Sequence, residues 1–240
     1  MKTFCSHTLV RNGEPFIDLV LRQVIPFMNR CLVTISEKST DGTLDLLRKM
    51  QKEFPNKIFI DFENVPVPGE LTKERQKQLS KTHEDWCLFL DDDDYWPTDQ
   101  IKEMIRVIEK EGDTIEGYVS RPYQVIDSHY YDRSWRYKWY MKWFKKQKGL
   151  NYRGAWPKDI LYLNDTRLYW RFNLQIPRLT PKFYHLSYIK EHSFRSEKWS
   201  GEHRKNFWKD SNKLSQAPFP ESAKKDVWKV FEHLNKPTGR

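Results

Sequence analysis

The segment Trp86-Cys87-Leu88-Phe89-Leu90-Asp91-Asp92-Asp93-Asp94 sets the tightest constraint on how this chain can fold. Five apolar residues in a row read as a strand buried on both faces, and such strands belong to parallel sheets covered by helices. The strand delivers four consecutive carboxylates to its C-terminal end, where open α/β sheets bind ligands. Like charges so close repel and raise one another's pKa values, so folding around them bare is unfavourable. A hard divalent cation removes that penalty, held by one or two carboxylates together with substrate phosphates. The competing reading is a solvated acidic turn or a helix cap, and the buried strand leading straight into the tetrad argues against it.

The residues before this point alternate strand and helix patterns. Lys2–Val10, Cys31–Ser36 and Lys57–Phe62 read as strands. Between them, Phe16, Leu19, Val20, Val24 and Phe27, and then Leu47, Met50 and Phe54, recur at helical spacing. Glu70–His83 is a polar helix. Pro97 and Thr98 open a further one, with Ile101, Met104, Ile105 and Ile108 on one face. Strand and helix in alternation predict a doubly wound, mostly parallel sheet over residues 1–112. After Gly117 the pattern changes to a strand over Tyr118–Ile126, a helix over Trp135–Lys148 and a strand-rich stretch over Gly154–Phe172. A strand over Lys182–Ile189 and a polar helical tail from Ser196, broken by a loop around Pro218 and Pro220, complete the reading. With no repeat or low-complexity linker, residues 113–240 read as an extension sharing one core with the first half.

The 240 residues suffice for one full-sized core. At 15% aromatic with ten Trp, the chain is too rich in large side chains for intrinsic disorder. No apolar run approaches the roughly 20 residues of a membrane span, and no secretory leader is visible. The three cysteines, Cys5, Cys31 and Cys87, lack metal-ligand spacing and read as core residues of a reducing compartment. The expectation is a soluble cytoplasmic protein.

Three blocks, in order, resemble the family-two glycosyltransferases of GT-A fold. They are Thr8-Leu9-Val10-Arg11-Asn12-Gly13-Glu14, Ile35-Ser36-Glu37-Lys38-Ser39-Thr40-Asp41-Gly42-Thr43 and Phe89-Leu90-Asp91-Asp92-Asp93. The resemblance implies a GT-A-like sheet with a C-terminal acceptor-binding extension. It implies transfer of a sugar from a nucleoside-diphosphate donor, UDP first among the candidates, to a hydroxyl with inversion. It also implies a Mn²⁺ or Mg²⁺ ion acting as Lewis acid on the departing diphosphate. On the same resemblance Val10, Arg11, Glu14, Glu37, Arg75, Asp91 and Asp92 border the donor. Glu37 stands where the family usually has Asp, and Asp41 and Gly42 shape the turn into the next helix. Asp91, Asp93 and His185, the last within Phe183-Tyr184-His185-Leu186-Ser187-Tyr188, hold the metal, while Asp92 and Asp94 support or cap. His185 reads equally as touching the diphosphate or as a hydrogen-bonded His within an aromatic strand. The His-Glu pair of many relatives is missing, leaving Asp159, Asp165 and Glu191 as general-base candidates, with Asp127 an outsider. His192, Arg195 and Lys198 would close over the phosphates, or else are ordinary surface charge.

The segment Trp135–Lys148 holds six basic residues and no acidic one, interleaved with aromatics. On a helix, Trp135, Trp139 and Trp143 form an i, i+4 stripe. The stripe packs on the sheet, or attaches to a membrane surface, or meets nucleic acid. With Lys142 and Trp156 these tryptophans are the expected acceptor-binding residues. The family resemblance implies as acceptor a bacterial surface glycan or a lipid-linked saccharide, met by an enzyme peripheral to the inner membrane face. The alternatives are a hydroxylated base in viral DNA, favoured by a net charge of +9, and a non-catalytic nucleic-acid-binding module on a transferase fold.

Overall fold

Apolar residues at strand and helix spacing in the first half produce the expected winding. The computed structural model describes residues 1–14, 16–63, 71–125, 130–132, 140–154, 160–168, 174–175, 182–186, 216–218 and 225. β1 (Phe4–Val10) leads to α1 (Phe16–Val24), β2 (Arg30–Ser36), α2 (Thr43–Glu53), β3 (Ile58–Glu63) and α3 (Leu71–Lys81). β4 (Trp86–Phe89), the two-residue β5 (Asp94–Tyr95) and α4 (Thr98–Glu111) follow. The later part is β-rich, with β6 (Gly117–Val125), β7 (Tyr130–Asp132), β8 (Tyr140–Lys145), β9 (Leu150–Arg153) and β10 (Ile160–Leu163). β11 (Thr166–Arg167), β12 (Leu174–Gln175), β13 (Lys182–His185) and β14 (Gln216–Pro218) complete it.

The main sheet runs β14-β7-β6-β8-β4-β1-β2-β3. β4, β1, β2 and β3 are parallel, while β8 lies antiparallel between β4 and β6. The chain winds outward from β1 to β3 and then returns to the other side of β1 to form β4. This reversal opens a crevice beyond the strand ends, the switch point at which open α/β sheets take ligands. α1 touches α2 and α4, whereas α3 lies against β1 and β9. Right-handed crossovers in opposite directions place helices on opposite faces, which fits this division.

Alternation along the central strands feeds a separate apolar cluster on each face. Trp86 and Leu88 of β4 and Trp143 of β8 join the larger cluster with Ile17, Leu47 and Met104 from α1, α2 and α4. Cys87 and Phe144, their neighbours in sequence, join the second, with Leu79 of α3 and Leu150, Leu161 and Leu163 from β9 and β10. The three-stranded sheet β11-β10-β9 thus extends the α3 face. Cys5, Cys31 and Cys87 are free thiols buried in these layers, and burial pushes the Cys31 thiol up to about 12.

A polar spine pins α3 to the sheet. The buried Gln78 Nε2 donates to the Thr8 carbonyl at 2.8 Å and to Thr34 Oγ1 at 3.0 Å. Thr82 donates its one hydroxyl hydrogen to the Gln78 carbonyl at 2.8 Å, so the 2.6 Å contact with His7 must be donated by His7 Nε2. Burial, aided by the Arg75 charge, pushes the His7 pKa down to about 3, and the ring is neutral throughout the physiological range.

Two expectations are corrected. Residues 140–145 of the expected helix over Trp135–Lys148 form strand β8, hydrogen-bonded to β4 and β6. With both faces of β8 covered, neighbouring Trp143 and Phe144 are each buried in a different layer, a pattern that looks helical when read along the chain. Pro218, expected in a loop, ends β14, an edge strand where its missing N–H is tolerated. The remainder of the expected helical tail lies outside the described residues. Among the described residues no helix is long and apolar enough to cross a membrane.

At the opposite end of the sheet, Arg30 clamps Glu84 in two-pronged fashion, with Nε–Oε1 and Nη2–Oε2 at 2.5 and 2.9 Å. Burial would raise the Glu84 pKa, but the Arg30 fork and two backbone N–H donors hold it below the usual carboxylate range. A depressed folded pKa stabilises the protein fully above the unfolded value and loses that effect as pH falls through the folded one. Glu84→Gln is therefore expected to cost about 1–2 kcal/mol at pH 7. In urea melts the deficit should shrink as pH falls below about 4.5. Gln78→Leu, which strips the spine of its donor, should cost about 1–3 kcal/mol by the same assay, with no comparable pH dependence.

Candidate active site

The end of β4 and its surroundings bring together the charged groups of the crevice. After Phe89 the backbone turns tightly, with the Asp94 N–H donating to the Asp91 carbonyl at 3.1 Å. β5 then pairs antiparallel with β13, setting His185 opposite Asp94 and Tyr184 opposite Tyr95. The Leu186 N–H donates to the Asp93 carbonyl at 2.9 Å and extends this pairing. α3 contributes Arg75 from one side, and β8 contributes Lys142 from beneath.

These groups form a chain of alternating charge. Arg75 Nη2 meets Asp91 Oδ1 at 3.2 Å, and Lys142 Nζ meets Asp91 Oδ2 at 2.8 Å. Lys142 Nζ also meets Asp94 Oδ2 at 2.5 Å. His185 Nδ1 lies 2.9 Å from Asp94 Oδ1 and 3.4 Å from Asp93 Oδ1. The side chains of Lys142, Asp93 and Asp94 are at most 3% exposed. Phe89 underlies both cations, with the Arg75 guanidinium 3.6 Å and the Lys142 ammonium 4.7 Å from its ring centre.

Burial and charge pull against each other here. Burial would raise the Asp91 pKa, but Lys142 and then Arg75 outweigh it and hold Asp91 ionised well below the usual range. Asp94 is moved the other way, raised by burial and by the Asp91 charge against the opposing pull of Lys142. Burial alone would lower His185 and Lys142; the carboxylates of Asp93 and Asp94 raise the first, and those of Asp91 and Asp94 raise the second. One ligand atom from each of Asp93, Asp94 and His185 lies within 4.8 Å of the others, a donor set of two carboxylates and an imidazole that suits a divalent cation.

The loops after β1 and β2 build the neighbouring wall. Asn12 adopts a left-handed conformation at φ 53°, and its Oδ1 accepts from the Thr40 N–H at 2.8 Å. Glu14 Oε2 accepts from the Gly42 N–H at 2.8 Å, beside the N-terminus of α2, where negative charge is favoured. Asp41 accepts from the Thr43 N–H at 3.1 Å, so Asp41 and Gly42 shape the turn and start α2. A Cβ on Gly13 would stand 2.4 Å from Val10 Cγ2 and 3.0 Å from Asp92 Oδ2, which packs this loop tightly against the acidic turn. Val10 is a core residue, while Arg11 and Glu37 are exposed at the strand ends.

The structure therefore gathers Arg75, Asp91, Asp93 and His185 at one place, and Asp92, Glu14 and Val10 against the same loops. Trp143, expected to stack on an acceptor, is instead fully buried edge-on to Trp96 and Phe4. Lys142 is likewise not part of an exposed acceptor face but is buried among the carboxylates. Asp94, expected only to support or cap, sits in the donor set. Asp165 is exposed in the turn between β10 and β11 and pairs with Arg153 at 2.9 Å. Trp135, Trp139, Trp156, Asp127, Asp159, Glu191, His192, Arg195 and Lys198 lie outside the described residues.

Several solved structures are similar to parts of this chain. S. aureus TarS 1-349 is 21% identical over 50% of this chain and 36% of that one, with a TM-score of 0.41. TarS 1-349 in complex with UDP-GlcNAc is 20% identical over 50% and 35%, with a TM-score of 0.42. M. tuberculosis glucosyl-3-phosphoglycerate synthase in complex with Mn²⁺, UDP and phosphoglyceric acid is 19% identical over 50% and 43%, with a TM-score of 0.39. The chain thus spans well under half the length of each of these proteins. No curated protein matches. The family model of glycosyl transferase family 2 matches residues 12–166, from the loop after β1 through the acidic turn to the start of β11. That match covers more than half of the sequence, and the chain belongs to glycosyl transferase family 2.

Proposed function

We propose that the protein is a metal-dependent, inverting glycosyltransferase that moves a sugar from a UDP-linked donor to a hydroxyl of a bacterial surface glycan or lipid-linked saccharide. The observation that carries this reading is the position of Asp93, Asp94 and His185 at the switch-point crevice, with ligand atoms within 4.8 Å of one another. A Mn²⁺ or Mg²⁺ ion held there would supply Lewis-acid neutralisation of the diphosphate. The TarS and synthase structures are described as complexes with UDP-GlcNAc and with Mn²⁺ and UDP, and both descriptions are compatible with this donor.

The chain's own groups would act as follows. Residues 1–112 would hold the donor, with Arg11, Glu14 and Glu37 at its nucleoside end and Asp92 behind the loop. Arg75, fixed on Phe89 and Asp91, adds a fixed positive charge beside the crevice. Residues 113–240 would present the acceptor, with Trp135, Trp139 and Trp156 as its aromatic contacts. The acceptor oxygen attacks the anomeric carbon, the bond to the diphosphate breaks, and a carboxylate takes the acceptor proton. Asp159, Asp165 and Glu191 remain the candidates for that base. The placement envisaged is cytoplasmic, with peripheral contact at the inner membrane face. Transfer to DNA draws less support, since Trp143 and Lys142 are buried and cannot meet bases or phosphates.

Release of nucleotide from a panel of UDP-, GDP-, CMP- and dTDP-sugars, with Mn²⁺ or with EDTA, tests the donor site without knowledge of the acceptor. The expected result is metal-dependent release from a UDP-sugar alone. Asp93→Asn should lower that turnover by about a hundredfold or more while leaving the melting temperature intact. Full activity in this variant would remove Asp93 from the metal site.

A further inference from the structure

Lys142 is built into the acidic site by the sheet itself. Along β8 the β6 partners are Trp143, opposite Tyr118, and then Met141, opposite Val119, so Lys142 is an extra residue with no β6 partner. Such a bulge bends its strand and re-aims a side chain, and bulges recur beside active sites. This one turns the lysine under the end of β4, where it is 3% exposed. The ammonium does not reach back to water as buried lysines usually do. It lies 4.7, 5.0 and 5.9 Å from the ring centres of Phe89, Phe183 and Tyr140, and within ion-pair distance of Asp91 and Asp94.

The carboxylates divide unequally around it. Both Asp91 oxygens are engaged, one by Arg75 and one by Lys142. Asp94 belongs both to the Lys142 pair and to the three-residue donor set. A divalent ion entering that set therefore shares a carboxylate with a resident ammonium a few ångströms away. Two cations on one carboxylate repel, and at low effective dielectric the repulsion is worth more than a factor of ten in affinity.

Resting on the reading of this cluster as the metal site, we propose that Lys142 is a resident cation of that site. It positions Asp91 and Asp94 in a charge-balanced arrangement before metal arrives, and it sets how tightly the divalent ion is then held. Lys142 is a positioning residue in this scheme, acting on the ion through the carboxylates it shares. The tetrad accordingly folds without metal, and the ion is held loosely enough to exchange.

Mn²⁺ titration followed by electron paramagnetic resonance, together with melting in EDTA and in Mn²⁺, tests this on the wild type, Lys142→Met and Lys142→Arg. Lys142→Met should melt lower in EDTA, bind Mn²⁺ about tenfold tighter or more, and gain more than the wild type from added Mn²⁺. Lys142→Arg, which keeps the charge, should stay near the wild type in all three. Binding by Lys142→Met but not by the wild type would support the proposal while removing metal dependence from the functional reading. Equal or weaker Mn²⁺ binding by Lys142→Met would overturn the proposal and leave that reading standing. Binding by neither protein would overturn both. If Lys142→Met fails to fold in EDTA, recovery with Mn²⁺ or with the added change Asp94→Asn supports the proposal, and recovery with neither overturns it.

Discussion

Four carboxylates in a row at the buried end of a strand cannot be accommodated by a fold that does not also bring cations to them. The architecture around β4 answers this requirement. Arg75, Lys142 and His185 arrive from a helix, an antiparallel strand and a late strand, and they alternate with Asp91, Asp94 and Asp93. Each element is held in place by something unrelated to charge. α3 is tied to the sheet by Gln78, β8 by its ladders to β4 and β6, and β13 by pairing with β5 and β6. Neutral hydrogen bonds thus fix positions at which ion pairs with high desolvation costs form with good geometry.

The two sides of the crevice differ in character. On the side of β1 and β2 the loops are hydrogen-bonded to one another: Asn12 to Thr40, Glu14 to Gly42 and Gly13 to Thr43. Their polar groups are spent on holding shape, which leaves exposed Arg11 and Glu37 at the rim. On the side of β4 the polar groups are spent on one another's charge. A wall held by its own hydrogen bonds beside a floor of paired charges is an arrangement that needs little reorganisation.

Much of this was legible from spacing alone. The strands β1 to β4 and the helices α1, α2 and α4 follow from apolar runs and spacing, α3 from a polar helical pattern, and the acidic turn from Trp86–Leu90, with most ends shifted by a residue or two as hydrogen bonding dictates. β8 was not legible. Its strand alternation is hidden because both faces are buried and because Lys142 reads as a surface residue in any pattern that scores lysine as polar. The resident cation was equally illegible, since a lysine 51 residues from Asp91 in sequence does not announce itself as its partner. His185 was named through the resemblance of its strand to the family's late strand, yet its position between two carboxylates depends on the β5–β13 pairing, to which a two-residue strand contributes almost no pattern.

The distances along the chain between the paired charges carry an implication for how the molecule comes into being. Asp91 meets Lys142 across 51 residues, and Asp94 meets His185 across 91. Only Arg75, among these cations, precedes the tetrad. As the chain leaves the ribosome, the β1–β4 unit is complete in length, with Arg75 alone of these cations at its acidic end, long before Lys142 and His185 follow. Contacts of such sequence separation form late because closing long loops is entropically slow. The parallel unit is then a poor free-standing intermediate at neutral pH, and closure of β8 onto β4 is the event that both seals the sheet and quiets the repulsion.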